Sequence, residues 1–399
     1  MKNMNKEEIL KQLPEREFLD QDFYKFTMLW FIMNNFPNAV ARYEFIDRRT
    51  HKYPKGLGEV LKQRIETFKY MSLSKEQRLK FQSKCSFLPN LFFDYLEGYR
   101  LDPTEVSIEQ KETGELSIKI DGYQYRTILW EVILMSEISE INFLMTGEIP
   151  TKTPKELIEQ DINKGNKLYE NDVKFVDFGT RRRYSFSNQD RVISNLKTGG
   201  KSSFIGTSNV FFGIKHDVKI VGTMAHEIVC EVASILGYAH ANKHLMELWN
   251  KTYNGNLGTI LTDSFGVNAF LKDFDSYQSR IWDSVRHDSG DPKKFADKII
   301  SHYEKLGINA MSKTIIFSDG LNIDDAIELA LYCYGRIKTS FGIGTYFTND
   351  VGVQALNIVI KLFKIDGKCV IKLSDINGKH VGDAKTITLV KELIDYQPL

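Results

Sequence analysis

The chain has 399 residues, 42% hydrophobic and 26% charged, with a formal net charge of +1. That is the balance of a soluble globular protein, and the near-neutral charge gives no support for bulk nucleic-acid binding. No run of about 18 uncharged apolar residues occurs, so no membrane span is expected. The start, Met1-Lys-Asn-Met-Asn-Lys-Glu-Glu8, lacks the apolar centre of a secretory signal. The cysteines Cys85, Cys230, Cys333 and Cys369 lie far apart in apolar settings without a CxxC pair. They suit a reducing cytosol and argue against a structural zinc or a disulfide framework.

The length asks for two domains or one barrel with additions. Residues 1–150 read as an α+β unit. Asp20-Gln-Asp-Phe-Tyr-Lys-Phe-Thr27 leads into an apolar helix from Met28 to Asn35, followed by a strand from Val40 to Ile46. Leu57 to Tyr70 and Lys75 to Lys84 read as helices. Val106–Ile108 and Leu116–Ile120 flank a turn at Thr113-Gly114, a hairpin signal. Ile128 to Met145 is a long apolar helix, too interrupted by Glu131, Glu137 and Glu140 to enter a bilayer. Thr151 to Lys174 reads as a solvated helix and connector.

From Val173 the pattern changes to short apolar runs that each close on polar or glycine residues. Val173–Phe178 ends in Gly-Thr-Arg-Arg-Arg183 and Ser203–Ile205 in Gly-Thr-Ser-Asn209. Val218–Val221 ends in Gly-Thr-Met-Ala-His226 and Thr259–Leu261 in Thr-Asp-Ser264. Ile281–Val285 ends in Arg-His-Asp-Ser-Gly-Asp-Pro292, Thr314–Phe317 in Ser-Asp-Gly320 and Ile337–Phe341 in Gly-Ile-Gly-Thr345. Most are followed by a helix pattern. Repeated β–loop–α units imply parallel strands, with the polar chemistry at their C-terminal ends. That is the active face of an α/β barrel, and a doubly wound open sheet would place ligands likewise. The expected fold is α/β: an irregular barrel over residues 151–350, and a second, discontinuous α+β domain made of residues 1–150 and the tail 351–399. In that tail, Ile358–Ile365 and Cys369–Leu373 flank a two-residue turn at Asp366-Gly367, and Asn377-Gly378 is a second turn.

His226 falls where a strand hands over to a helix whose apolar face runs through Ile228, Val229, Val232, Ile235 and Leu236. Backbone N–H groups point outward there, and a neutral imidazole beside phosphates acts as nucleophile or proton carrier; the plain alternative is a helix-end residue that only packs. Asp288-Ser289-Gly290-Asp291 precedes a helix that Pro292 can start. Its carboxylates suit a ribose diol or a hydrated Mg²⁺, or an ordinary capped loop. Gly342-Ile-Gly344-Thr345 and the neighbouring Ser318-Asp319-Gly320 are loops of the kind that hold phosphate in barrels. Arg181, Arg182 and Arg183 leave a buried strand at the same face, and arginine forks suit phosphate and carboxylate. Phe178 offers a flat face to an aromatic ring or packs in the core. Arg286 pairs with Asp288 or Asp291, or binds a substrate carboxylate. His240 and His244 have metal-ligand spacing without an acidic companion and read as ordinary helix residues. Together these point to an enzyme with an anionic, phosphate-bearing substrate that carries a ribose.

The ordered series Asp20-Gln-Asp-Phe-Tyr-Lys25, Asp177-Phe-Gly-Thr-Arg-Arg-Arg183, Gly206-Thr-Ser-Asn209, Gly222-Thr-Met-Ala-His-Glu227, Arg286-His-Asp-Ser-Gly-Asp-Pro292, Phe317-Ser-Asp319 and Ser340-Phe-Gly-Ile-Gly-Thr345 resembles the nicotinate phosphoribosyltransferase family over nearly the whole chain. Lys372-Leu-Ser-Asp375 fits the bacterial type. The resemblance implies a type II phosphoribosyltransferase fold and a cytoplasmic head-to-tail homodimer with shared active sites. The implied reaction joins nicotinate to 5-phosphoribosyl 1-pyrophosphate, giving nicotinate mononucleotide and pyrophosphate, the entry step of NAD salvage. ATP hydrolysis is coupled to it through a phosphohistidine, with Mg²⁺ assisting. It implies His226 as the phosphohistidine. It gives Thr223, Ser208 and Arg286 as nicotinate contacts, and Phe178 with Tyr24 of the other subunit as a ring sandwich. It gives Arg181, Arg182, Asp288, Ser289, Gly290, Asp291, Asp319, Gly342, Gly344 and Thr345 as the phosphoribosyl pyrophosphate site, with Asp288 and Asp291 near Mg²⁺. Nicotinamide phosphoribosyltransferases resemble it with an acid at the place of Ser208. A carboxylate there would repel nicotinate, so Ser208 favours the acid substrate. The other readings are a catalytically silent ligand-binding paralogue and a metal-dependent barrel lyase. The first is opposed by the joint presence of His226, Arg286, Asp288 and Asp291, the second by the lack of a ligand cluster.

Overall fold

The computed structural model describes residues 5–375 and 380–399; the turn read at Asn377-Gly378 lies outside them. Two sheets organise the chain. The first is antiparallel and takes β1 (Val40–Asp47), β2 (Val106–Gln110) and β3 (Leu116–Tyr123) from the N-terminal part. The second is parallel and holds β4 (Phe175–Asp177), β5 (Phe204–Thr207), β6 (Lys219–Ile220), β7 (Thr259–Leu261), β8 (Ser284–His287), β9 (Thr314–Phe317) and β10 (Lys338–Ile343). The tail strands β11 (Ile358–Ile365) and β12 (Lys368–Cys369) return to the first sheet, whose order is β12-β11-β1-β3-β2. β11 runs antiparallel to β1, with Ala41 opposite Ile365 and Asp47 opposite Ile358.

The parallel sheet has the order β6-β5-β4-β10-β9-β8-β7. Each strand thus lies beside its neighbour in sequence, and β10 closes on β4, with Ile343 opposite Asp177. The sheet curls into a half-barrel whose free edges are β6 and β7. This is the irregular α/β barrel that the repeated units predict. The run at Val218–Val221 shortens to two residues because β6 is an edge that pairs with β5 alone. The run expected from Ile281 starts at Ser284, since Asp275 caps a short helix, Ser276–Ile281, ahead of it.

The helix α1 spans Phe23–Asn35, beginning five residues before the predicted Met28. Its first turn is almost wholly buried, Lys25 included, which is the signature of a core helix rather than an amphipathic one. The helix α2 (Trp130–Thr146) is buried along most of its length, Glu131 and Glu137 with it. The stretch read as a solvated connector is a helix, Pro154–Glu170, that buries Leu157, Asp161, Lys164 and Leu168 along one face. The helix α3 (His226–Leu236) follows β6 at that free edge and packs on β11, so it joins the two sheets. No helix among the described residues is long and apolar enough to cross a membrane.

A buried ion pair pins the segment before α1 to the barrel face. Arg183 donates to both oxygens of Asp20, at 2.7 and 2.6 Å, and Asn209 adds a third bond to Asp20 at 2.7 Å. Burial alone would raise the Asp20 carboxyl, but Arg16 and Arg183 outweigh it and bring the group down to about 2. Of the three arginines after β4, Arg183 is therefore structural. Asp20→Ala leaves buried Arg183 without its paired carboxylate and Arg16 with Glu137 alone, which costs about 3–5 kcal/mol, read as a lower urea midpoint. The contribution is present above the ordinary carboxylate value of 3.8 and lost as pH falls through about 2. The gap between wild type and variant should narrow over that window, and a midpoint unchanged at neutral pH would contradict this role.

Candidate active site

All seven barrel strands deliver candidate site residues at their C-terminal ends. Phe178 follows β4, Ser208 follows β5, and Thr223 and His226 follow β6. Asp263 follows β7, Arg286 and Asp288 close β8, Ser318 and Asp319 follow β9, and Gly344 and Thr345 follow β10.

His226 is the first residue of α3. Ala225 at its N-cap makes no side-chain cap bond, so the helix start still offers backbone donors. The imidazole Nε2 lies 2.8 Å from Asp263 Oδ1, and Nδ1 lies 3.7 Å from Asp288 Oδ2. Asp263 is fully buried. Its Oδ2 accepts from Ser289 Oγ at 2.7 Å and faces Lys372 Nζ at 3.8 Å. Burial pushes the Asp263 carboxyl up, but His226 and Lys372 pull it further down, so it stays ionised. A carboxylate can only accept, so Nε2 carries the proton and Nδ1 holds the free lone pair. Burial, aided by Lys372, lowers the His226 pKa below its ordinary value, and Asp263 and Asp288 restrain the fall; the ring is neutral at pH 7.

Arg286 is fixed from three sides. Nε donates to Ser318 Oγ at 2.8 Å, Nη1 to the Met224 carbonyl at 3.2 Å and Nη2 to Asp288 Oδ1 at 3.0 Å. A guanidinium has five N–H donors, so part of the fork remains for a ligand. Its carbon sits 5.8 Å from the Phe178 ring centroid. Gly342 lies under that ring: a Cβ there would fall 2.3 Å from Phe178 Cδ2. The glycine read as part of a phosphate loop thus makes room for the aromatic ring.

Tyr24 and Arg181 form a second edge of the pocket. The Arg181 guanidinium carbon is 5.9 Å from the Tyr24 ring, and its Nη1 is 3.5 Å from Glu131 Oε1. Ser208 donates to Asp22 Oδ1 at 2.6 Å. A carboxylate therefore already adjoins Ser208, and charge at position 208 alone cannot carry the choice between acid and amide. Arg181 lies 4.0 Å from Asp22, whose carboxyl burial raises above its ordinary value.

Two members of the Asp-Ser-Gly-Asp loop have structural duties. Ser289 is bonded to Asp263, and exposed Asp291 caps the helix α4 (Pro292–Lys305) through Oδ1, which accepts from the backbone of Lys293 and Lys294 at 2.9 and 3.1 Å. Gly290 turns the loop at φ +89°, a conformation that favours glycine. Asp288 remains the central acid of the loop. Thr223 is half-buried and gives its carbonyl to Thr27. Thr345 opens a short helix, Thr345–Thr348, behind Gly344.

A positive cluster was missed by sequence reasoning. Burial and the neighbouring Arg181, Arg48 and Arg49 bring Arg182 down to about 10. Burial with Arg48 and Lys372 brings Lys361 down to about 8. Cations that destabilise one another in this way are relieved by a polyanion. Burial lowers both Arg48 and His287, and Asp319 is near enough to oppose the fall in each. Arg48 leaves β1, Lys361 lies on β11 and Lys372 follows β12, so no local motif announces them. Asp263 did have a signal: it ends a strand as the other site residues do. No group of three or more metal-binding side chains occurs among the described residues. His240 bonds to Asp273 at 2.8 Å just ahead of the helix Ala241–Tyr253.

Two family models match the chain: the nicotinate phosphoribosyltransferase (NAPRTase) family over residues 173–397 and its N-terminal domain over 19–139. A nicotinate phosphoribosyltransferase of Desulforapulum autotrophicum is 42% identical over 379 residues, covering 93% of this chain and 97% of the relative. One from Chromohalobacter salexigens is 43% identical over 382 residues, covering 94% and 97%. The crystal structure of the Porphyromonas gingivalis enzyme of that name superposes with a TM-score of 0.93 at 38% identity, covering 96% of this chain and all of the other.

The Asp263–His226 contact makes a directional claim. Asp263→Asn removes the charge that holds the imidazole pKa up, so an NMR titration should find His226 titrating lower than in the wild type. An upward shift would mean that Asp263 does not face the ring.

Proposed function

The chain belongs to the nicotinate phosphoribosyltransferase family, and we propose that it couples that family's reaction to ATP through phosphorylation of His226 at Nδ1. Nicotinate phosphoribosyltransferase activity takes small-molecule substrates, nicotinate and 5-phosphoribosyl 1-pyrophosphate. What supports the coupled reading is the geometry of one ring. Asp263 binds Nε2–H at 2.8 Å and leaves Nδ1 as a neutral nucleophile at an uncapped helix start. Backbone donors there favour a phosphoryl group.

The rest of the pocket divides by charge. Nicotinate stacks on Phe178 with its carboxylate towards Arg286, a charge-assisted fork. Thr223 and Ser208 line the same cavity. The sugar's phosphates lie with Arg181, Arg182 and Thr345, where Arg48, Lys361 and Lys372 extend the positive field; Arg181, beside Tyr24, stands where the phosphate site meets the base pocket. Displacement of pyrophosphate at the anomeric carbon passes through a cation-like sugar. Asp288 faces that charge, while the cations hold the departing one. Mg²⁺ fits as an ion brought by phosphates rather than caged by protein. Asp288 is the residue that would hold it, and the ion would neutralise pyrophosphate charge. Asp291, committed to capping α4, suits that role less. The same reading carries a homodimer in which the partner subunit's Tyr24 covers the base; half-buried Phe178 leaves ring surface for it, while Tyr24 of this chain stands against Arg181.

Two measurements test this. With γ-labelled ATP the protein should acquire an acid-labile phosphate, with the ³¹P signature of a Nδ1 adduct, and His226→Ala should lose both the label and the stimulation by ATP while keeping slow transfer. Full stimulation in that variant would rule the phosphohistidine out. Arg286→Ala should raise the nicotinate KM by at least about tenfold, the loss of a charge-assisted pair. An unchanged KM would make Arg286 structural.

A further inference from the structure

Lys25 lies one residue beyond Tyr24 in α1 and is wholly buried. Its ammonium meets two carboxylates, Glu131 Oε2 at 2.6 Å and Glu227 Oε2 at 2.5 Å. Glu131 belongs to the first turn of α2, and its other oxygen faces Arg181 of the pocket at 3.5 Å. Glu227 follows His226 directly, and its other oxygen accepts from Tyr43 on β1 at 2.5 Å. The result is a continuous alternation of charge, Arg181–Glu131–Lys25–Glu227, running from the base pocket to the residue beside the imidazole.

We propose that Lys25 is a positioning residue that couples occupancy of the base pocket to the placement of His226, a role that rests on the phosphohistidine reading above. Arg181 is the partly exposed end of the series, with 36% of its side chain accessible. A bound anion that draws Arg181 towards itself takes away the second cation of Glu131 and leaves it to Lys25 alone. Lys25 then moves its bond towards Glu131 and loosens Glu227, the first-turn acid of α3. The reverse holds by linkage: a phosphate on His226 adds negative charge beside Glu227 and changes what Lys25 and Arg181 offer a ligand. Burial lowers the Lys25 pKa, but the two carboxylates raise it more, so the ammonium stays charged and responsive to both.

A second set of contacts makes α1 the mechanical partner of this loop. Thr27 Oγ1 donates to the Thr223 carbonyl at 2.5 Å, and the Ala225 N–H points at Met28 Sδ at 3.4 Å. The helix that carries Tyr24 thus grips residues 223–225 by backbone contacts while Lys25 grips residue 227 by charge. Movement at either end reaches the other through packed groups.

The test is the factor by which ATP changes the nicotinate KM, measured in wild type, Glu227→Gln and Tyr43→Phe. Glutamine keeps the shape and one acceptor but loses the charge. The proposal expects the ATP factor in Glu227→Gln to shrink at least about fivefold, and Tyr43→Phe to shrink it in part, with both variants still labelled by ATP. A merely structural role would move KM alike with and without ATP and leave the factor intact; that result, or an ATP-independent KM in the wild type, overturns the proposal. Should Glu227→Gln not fold, an unchanged factor in Tyr43→Phe overturns it alone. Loss of the proposal leaves the phosphohistidine reading standing as long as His226→Ala abolishes the ATP effect.

Discussion

A carboxylate kept ionised in a fully buried place demands partners, and Asp263 finds three. His226, Ser289 and Lys372 come from the loop after β6, the loop after β8 and the tail after β12. Because the charge cannot be left unanswered without a penalty of several kcal/mol, three separate stretches of chain are fixed relative to one another at the barrel mouth. The imidazole tautomer follows from the same contact, and so does the nitrogen that is free to react. The site residues are thus arranged around one buried charge.

The remaining charges fall into two groups with different tasks. Asp20 with Arg183 and Arg16, and Lys25 with Glu131 and Glu227, balance within the protein and hold α1 to the barrel face. Burial lowers Arg48, Arg182 and Lys361, and Arg48 adds to the fall of the other two, a field that a polyanion would relieve. α1 belongs to both groups. It begins beside Asp22 and Tyr24 at the pocket, then delivers Lys25 and Thr27 to the loop that bears His226. A segment from the N-terminal part of the chain thereby holds a loop of the barrel in place, and β11 packs behind α3.

Much of this was legible in the sequence. Strand ends that close on Gly-Thr, Ser-Asp or Arg-His-Asp announce parallel strands with chemistry at one face, and Pro292 after Asp291 announces the start of α4. His226 at a strand–helix junction was legible too. The unread parts are contacts across long sequence separations. Lys25 in an apolar helix gives no sign that two glutamates about 100 and 200 residues away will neutralise it, because helix periodicity reports burial and not partners. Gly342 looked like a phosphate-loop glycine, since a turn and a seat for a ring leave the same residue. Asp291 shows the converse: an acid before Pro292 satisfies the capping pattern and the binding pattern equally, and its hydrogen bonds show the cap.

The most direct test is to follow products by chromatography after supplying 5-phosphoribosyl 1-pyrophosphate with nicotinate or with nicotinamide, each with and without ATP. The arrangement of Asp263, His226 and Arg286 predicts nicotinate mononucleotide as the product, formed faster with ATP and matched by ADP release. Nicotinamide mononucleotide as the main product, or nicotinate mononucleotide formed with no ADP and no response to ATP, would contradict it.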